Sequence, residues 1–112
     1  MTVEELVAAL GLEVFSPGEM GQAVTGGYAS DLLSCVMAKA QSDNIWVTLQ
    51  AHPNVVAVAS LLNLAAVVIT EGVTPDRETI ERAQENRVSL LGASQTTFTV
   101  VGQLSALGVA GG

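Results

Sequence analysis

His52, Asp31, Cys35 and a set of glycines near Gly26 are the residues whose types and positions could do chemistry in this chain. His52 is the single histidine. It follows an apolar run of strand length and stands directly before Pro53, a residue suited to the first position of a helix. In parallel α/β sheets that is the edge where ligands bind. No neighbouring pattern supplies an orienting carboxylate, and one histidine alone cannot build a zinc site, so capping or packing is the simpler role. Asp31 stands at the start of a predicted helix, where it could serve as a metal-binding carboxylate but more simply complements the helix dipole. Cys35 has Lys39 one turn along, the kind of neighbour that activates a thiol. It lacks a CxxC partner and reads as an inert, partly buried thiol.

Gly21 and Gly26 have the outer spacing of a phosphate-binding loop, and a helix follows. Gly27 and Tyr28 then stand where that loop needs Lys and Ser or Thr, so nothing reaches a terminal phosphate or magnesium. Gly26 and Gly27 are instead expected to supply unusual backbone angles at a strand-to-helix turn. Backbone amides at that helix start are the alternative, as a seat for an anionic group. Tyr28, directly after the glycines, either stacks on a ligand or meets a partner surface. Eight of the fifteen charged residues fall between Glu71 and Arg87, which reads as a solvated helix face and offers no acid–base pair.

The elements that must position these residues follow from pattern. Thr2 and Glu5 form a capping box for a helix over Val3–Leu10, stopped by Gly11. Strands are predicted at Leu12–Phe15 and around Gln22–Thr25. Asp31–Ala40 is an amphipathic helix with Leu32, Leu33, Val36, Met37 and Ala40 on one face. Ile45–Leu49 is a strand, and Pro53 to about Leu64 a helix that is apolar nearly all round and must be covered on more than one side. Ala66–Ile69 is a further buried strand. A polar surface helix runs from Thr74-Pro75 to about Asn86, with Ile80 and Ala83 as its thin apolar stripe. Val88–Leu91 is another strand. Thr97–Leu107 closes the chain as a helix using Phe98, Val101 and Leu104. Trp46 is expected in the core.

Strands each followed by a helix, short and continuously apolar, indicate βαβ units. The expected fold is therefore α/β, a three-layer domain with a mostly parallel sheet of about five short strands and helices on both faces. The whole of residues 1–112 reads as one domain, with residues 1–20 an N-terminal helix and strand.

Composition excludes several classes of function. Hydrophobic residues make up 49% and charged residues 13%, about half the usual share of roughly 25%, which rules out a disordered chain. Four Lys+Arg against eleven Asp+Glu give a net charge of −7, so no nucleic-acid partner is expected. One cysteine rules out a disulfide framework and suits a reducing cytoplasm, where the chain is expected to reside. Val55–Thr70 is the one stretch that suggests a membrane span, but it is about 16 residues where roughly 20 are needed and has no basic flank. No membrane contact, cofactor or metal is expected.

Three strings carry a family resemblance: Gly26-Gly27-Tyr28-Ala29-Ser30-Asp31-Leu32-Leu33-Ser34, Trp46 to Val55 (WVTLQAHPNV), and Val68-Ile69-Thr70-Glu71-Gly72. With the order of elements, they resemble the DRTGG domain over about three quarters of the chain, residues 21–108 forming the core of the likeness. That family is named for an Asp-Arg pair after the central strand and Thr-Gly-Gly after the next. Here Ala51 and His52 stand at the pair and Glu71 at the middle glycine, so any role of the Asp-Arg pair does not carry over.

The resemblance implies a fold similar to the N-terminal domain of HPr kinase. The same domain is fused to regulatory pyrophosphatases beside CBS domains, and single-domain relatives look like companions of hydrogenase and sensor-kinase proteins. The expectation is a non-enzymatic regulatory or ligand-sensing module with no catalytic residues, a homodimer that docks a protein partner or binds a small anionic ligand. The ligand would lie near Gly26, Gly27, Tyr28, Asp31, Gln50, His52 and Asn54, taken to cluster at strand-to-helix turns on one sheet edge. The alternative is a phosphotransfer or hydrolase accessory enzyme using His52 and Asp31, which would have to come within hydrogen-bond reach or one water of each other.

Overall fold

Local signals set the first element as read. Thr2 Oγ1 accepts from the Glu5 N–H while the Glu5 carboxylate accepts from the Thr2 N–H, and Gly11 closes the helix in the left-handed region at φ 63°. In the computed structural model, which describes residues 1–111, this helix is α1 (Val3–Leu10). Gly112, part of the glycine tail, lies outside the described residues. There follow β1 (Glu13–Ser16), β2 (Gly26–Ala29), α2 (Leu33–Lys39), β3 (Asn44–Thr48), α3 (Pro53–Leu61), β4 (Ala66–Ile69), α4 (Arg77–Glu85), β5 (Leu90–Gly92) and α5 (Thr97–Ala106).

The five strands form one sheet in the order β1-β5-β4-β3-β2. Strands β2 to β5 are parallel and run across the sheet in chain order, while β1 pairs antiparallel with β5 through an irregular register between Val14 and Ser16. The fully buried strands β3 and β4 send alternate residues to opposite faces. Trp46, Val67, Ile69 and Leu90 meet Val36 of α2, Val55, Val56 and Ala59 of α3, and Ala83 of α4. Ile45, Val47, Ala66, Val68 and Leu91 meet Val3 and Leu6 of α1 and Val100 and Leu104 of α5. The expected three-layer α/β domain is what the chain forms. Each fully buried Val, Leu or Ile contributes about 1.5–3 kcal/mol of apolar burial, and the two cores flank the sheet like two slabs.

Three expected elements sit differently, each for a visible reason. The strand expected at Gln22–Thr25 lies at Gly26–Ala29 instead. The Gln22 and Met20 carbonyls accept from the Val3 and Glu4 N–H groups, and Val24 N donates to Met1 O, so that segment serves the start of α1 rather than the sheet. Helix α2 begins at Leu33, because Asp31 is tied to the end of β3; Leu32 and Met37 of the expected buried face are exposed. In α5 the buried positions are Val100 and Leu104. Phe98, expected in the core, is 85% exposed, and Val101 is 38% exposed. Thr97 fixes the rotation of α5 by bonding Thr70 Oγ1 at 2.6 Å, which turns Phe98 outward.

Candidate ligand-binding edge

At the C-terminal ends of β2 and β3 the chain builds a polar cluster around Asp31. Its Oδ1 accepts from Thr48 Oγ1 at 2.8 Å and from the Leu49 N–H at 2.9 Å. Thr48 Oγ1 in turn accepts from the Gln50 N–H at 3.1 Å. Beneath them Trp46 Nε1 donates to the Ser30 carbonyl at 2.9 Å, so the turn out of β2 is held to β3 at both levels. Asp31 thus acts as a tertiary clasp rather than the expected partner of the α2 dipole. The α2 cap position is Leu32, which has no side-chain cap bond.

The β3–α3 loop carries His52 at the N-cap of α3. Its Nδ1 accepts from the Asn54 N–H at 3.3 Å, and its carbonyl accepts from Val55 N. Capping, the simpler of the two roles for His52, is therefore what the ring does. With Nδ1 accepting, a neutral ring carries its proton on Nε2. Pro53 brings no N–H, so the first turn of α3 is satisfied from within. The donors left for a ligand are the His52 Nε2–H, the amide of exposed Asn54 and the amide of half-buried Gln50.

One strand further on, threonines and acids repeat this role. Buried Thr70 follows β4 as Thr48 closes β3, and Thr70 N donates to the Thr48 carbonyl at 2.9 Å. Glu71 sits in the left-handed region at φ 64° and Gly72 at φ 72°, which is why two glycines suit this turn. The Glu71 carboxylate accepts from the Thr97 N–H at 2.8 Å at the start of α5, a favourable end for negative charge. Asp76 caps α4. The Thr79 main-chain N–H, and then the Thr79 hydroxyl, hold its carboxyl below the usual range, with the Ala51 carbonyl 3.2 Å from the same hydroxyl as the more distant acceptor for its one proton.

Of the seven residues expected to share this edge, four do: Asp31, Gln50, His52 and Asn54. Gly26, Gly27 and Tyr28 do not. They lie inside β2, opposite Asn44, Ile45 and Trp46. Their glycines serve close packing rather than a turn. A Cβ at Gly26 would come within 3.0 Å of the Ala110 carbonyl and 3.1 Å of the Asn44 side chain. Neither glycine has positive φ. Tyr28 is half-buried and packs with the Trp46 core. Cys35 is half-buried as a free thiol.

Residue-by-residue reasoning passed over Thr48, Thr70, Thr97 and Glu71. A signal for the first two was present, since each buried apolar run, Ile45–Val47 and Ala66–Ile69, is followed by threonine. Among the described residues no group of three or more His, Cys, Asp or Glu could hold a metal ion, and no helix is long and apolar enough to cross a membrane.

The fold and this edge define an α/β domain whose parallel strands run in chain order with an antiparallel strand at one side. The family model for the DRTGG domain matches residues 5–107, and the chain belongs to that family. The match takes in α1 from Glu5 onward, together with β1. No curated protein matches the sequence. A similar solved structure is that of the CBS and DRTGG domains of the regulatory region of Clostridium perfringens pyrophosphatase, complexed with its activator, diadenosine tetraphosphate. It aligns with a TM-score of 0.73 at 16% identity, over 92% of this chain and 45% of that one. The likeness is one of fold, and this chain spans less than half of that structure's length.

Proposed function

We propose that this chain is a regulatory module that senses a small anionic ligand at the Asp31–His52 end of its sheet. It works as a homodimer and acts through a protein partner, without catalysis of its own. The observation that carries the reading is how the two side chains an enzyme would need are used. Asp31 holds the Leu49 main chain and His52 the Asn54 main chain, the one occupied in bracing the loop that follows β3 and the other in capping the first turn of α3. What this leaves for a ligand is a set of donors: the Gln50 and Asn54 amides and the His52 ring. Donors of that kind bind anions, and they do so without moving protons. Family membership and a fold neighbour from a regulatory region complexed with an activator support the same reading.

The net charge of −7 sets a bound on the ligand. Long-range repulsion disfavours heavily phosphorylated molecules, so a ligand of low charge is expected to bind better than one carrying several phosphates. The test is a thermal-shift series with inorganic phosphate, adenosine monophosphate, diadenosine tetraphosphate and a panel of carboxylates. At least one is expected to raise Tm in a concentration-dependent way, with the rise reduced in Gln50→Ala and His52→Ala. If none raises Tm, the ligand-sensing reading falls. A ligand consumed at a catalytic rate would replace it with the enzyme reading.

A further inference from the structure

A groove of about 640 Å³ lies away from the polar edge, between β2, α5 and the segment after α5. Gly27, Ala29 and Val47 line it from the sheet, Val101 and Leu104 from α5, and Val109 from the closing segment. No Asp, Glu, Lys, Arg or His lines it, and residues 88–112 contain no Asp, Glu, Lys or Arg. On the same helix Phe98 and Val101, one turn apart, are exposed.

Beside this groove the sheet is unfinished. β2 is an edge strand, and among the described residues its outer side meets one neighbour, the segment around Ala110, through the Gly27 N–H to Ala110 carbonyl bond at 3.1 Å. Backbone groups alternate sides along a strand, so the N–H and C=O of Ala29 point outward as those of Gly27 do. Ser30 N, the next in turn, points inward to the Val47 carbonyl. Ala29 is exposed, and among the described residues no backbone group pairs with its side of the β2 edge.

We propose that this face is where a second copy of the chain docks, two β2 edges meeting about a two-fold axis with Phe98 and Val101 of each α5 packed over the partner's groove. This rests on the homodimer reading above and adds its location. Charge selects the occupant. A chain at −7 meeting itself elsewhere on its acidic surface sets like charges together, whereas the described lining of this groove carries no carboxylate side chain, and Glu71, beside Phe98, is engaged by the Thr97 N–H. A basic partner would find no carboxylate side chain in the groove lining to pair with. An open strand edge is also complementary to itself, which is the requirement of a two-fold contact.

The experiment is sedimentation equilibrium of the full chain from low micromolar to submillimolar concentration, with circular dichroism as a check on folding. The wild type is expected at twice the 11.5 kDa chain mass, and Phe98→Asp and Val101→Asp are each expected to weaken dimerisation by about tenfold or more while keeping the fold. Leu61→Asp, at an exposed leucine on the opposite face, should leave the dimer intact. A wild type monomeric throughout would overturn the homodimer reading itself. A dimer that survives both α5 variants, or one that Leu61→Asp dissolves, would overturn this face and leave the dimer standing.

Discussion

Helices α3 and α5 make an instructive pair. Both are nine or ten residues long, both lack any charged residue, and both read from sequence as apolar elements that must be covered. α3 is the middle helix of three on its face, with α2 and α4 against its flanks and Val55, Val56 and Ala59 on the sheet, and only at its last residue, Leu61, does a large apolar side chain stand exposed. α5 shares its face with α1 alone, buries Val100 and Leu104 against the sheet, and leaves Phe98 outside. An apolar pattern therefore states that a helix needs cover. The number of helices on its layer decides how much of it its own chain provides.

The sharpest way to break the comparison is through the core beneath α3. Trp46→Ala should cost about 3–5 kcal/mol in chemical denaturation, since it empties the largest buried side chain and leaves the Ser30 carbonyl without its donor. A loss below 1 kcal/mol would mean that the α3 layer is not tightly packed. Within α5 the two faces should separate cleanly. Val100→Ala is expected to cost about 2 kcal/mol, whereas Phe98→Ala, measured at concentrations too low for association, should change stability by no more than about 0.5 kcal/mol. Equal costs would show that Phe98 is packed within its own chain.

Asp31→Asn probes the clasp between β2 and β3. It keeps an acceptor but removes the charge, and should cost about 1–2 kcal/mol in the same assay, with faster amide exchange at Leu49. An unchanged Leu49 exchange rate would mean that this bond does not hold in solution.

The smallest effect is on pH, and it samples one helix cap on each face. Glu5 in α1 is held below its usual value first by the Thr2 main-chain N–H and then by the Thr2 hydroxyl, and Asp76 at α4 by the corresponding groups of Thr79. Both are lowered on folding, so each contributes stability above its ordinary value, 4.5 for Glu5 and 3.8 for Asp76, and loses it as pH falls through the lowered folded value. Thermal stability should decline through that acid window. Glu5→Gln with Asp76→Asn should flatten the decline, and an unaltered profile would exclude these caps as its source.

How much of this was legible follows from the range of each interaction. The α1 capping box, the Pro53 start of α3 with His52 before it, and the apolar runs of β3 and β4 depend on neighbours within a few residues, and each was read close to its place. β2 was not, because Gly26-Gly27-Tyr28-Ala29 lacks the β-branched pattern of a strand and is defined by what it packs against. The phase of α5 depends on Thr97 meeting Thr70, 27 residues away. The site divides in the same way. His52 as a cap was local, while Asp31 bonding Thr48 is 17 residues distant and left no pattern to find.

The measurement that bears most directly on the difference between α3 and α5 is hydrogen–deuterium exchange at two protein concentrations, one below and one above association. The amides of β2 around Ala29 and the outer face of α5 around Phe98 are predicted to slow as concentration rises, while those of α3 stay equally protected at both. Protection rising in α3 instead, or in neither segment, would contradict the account.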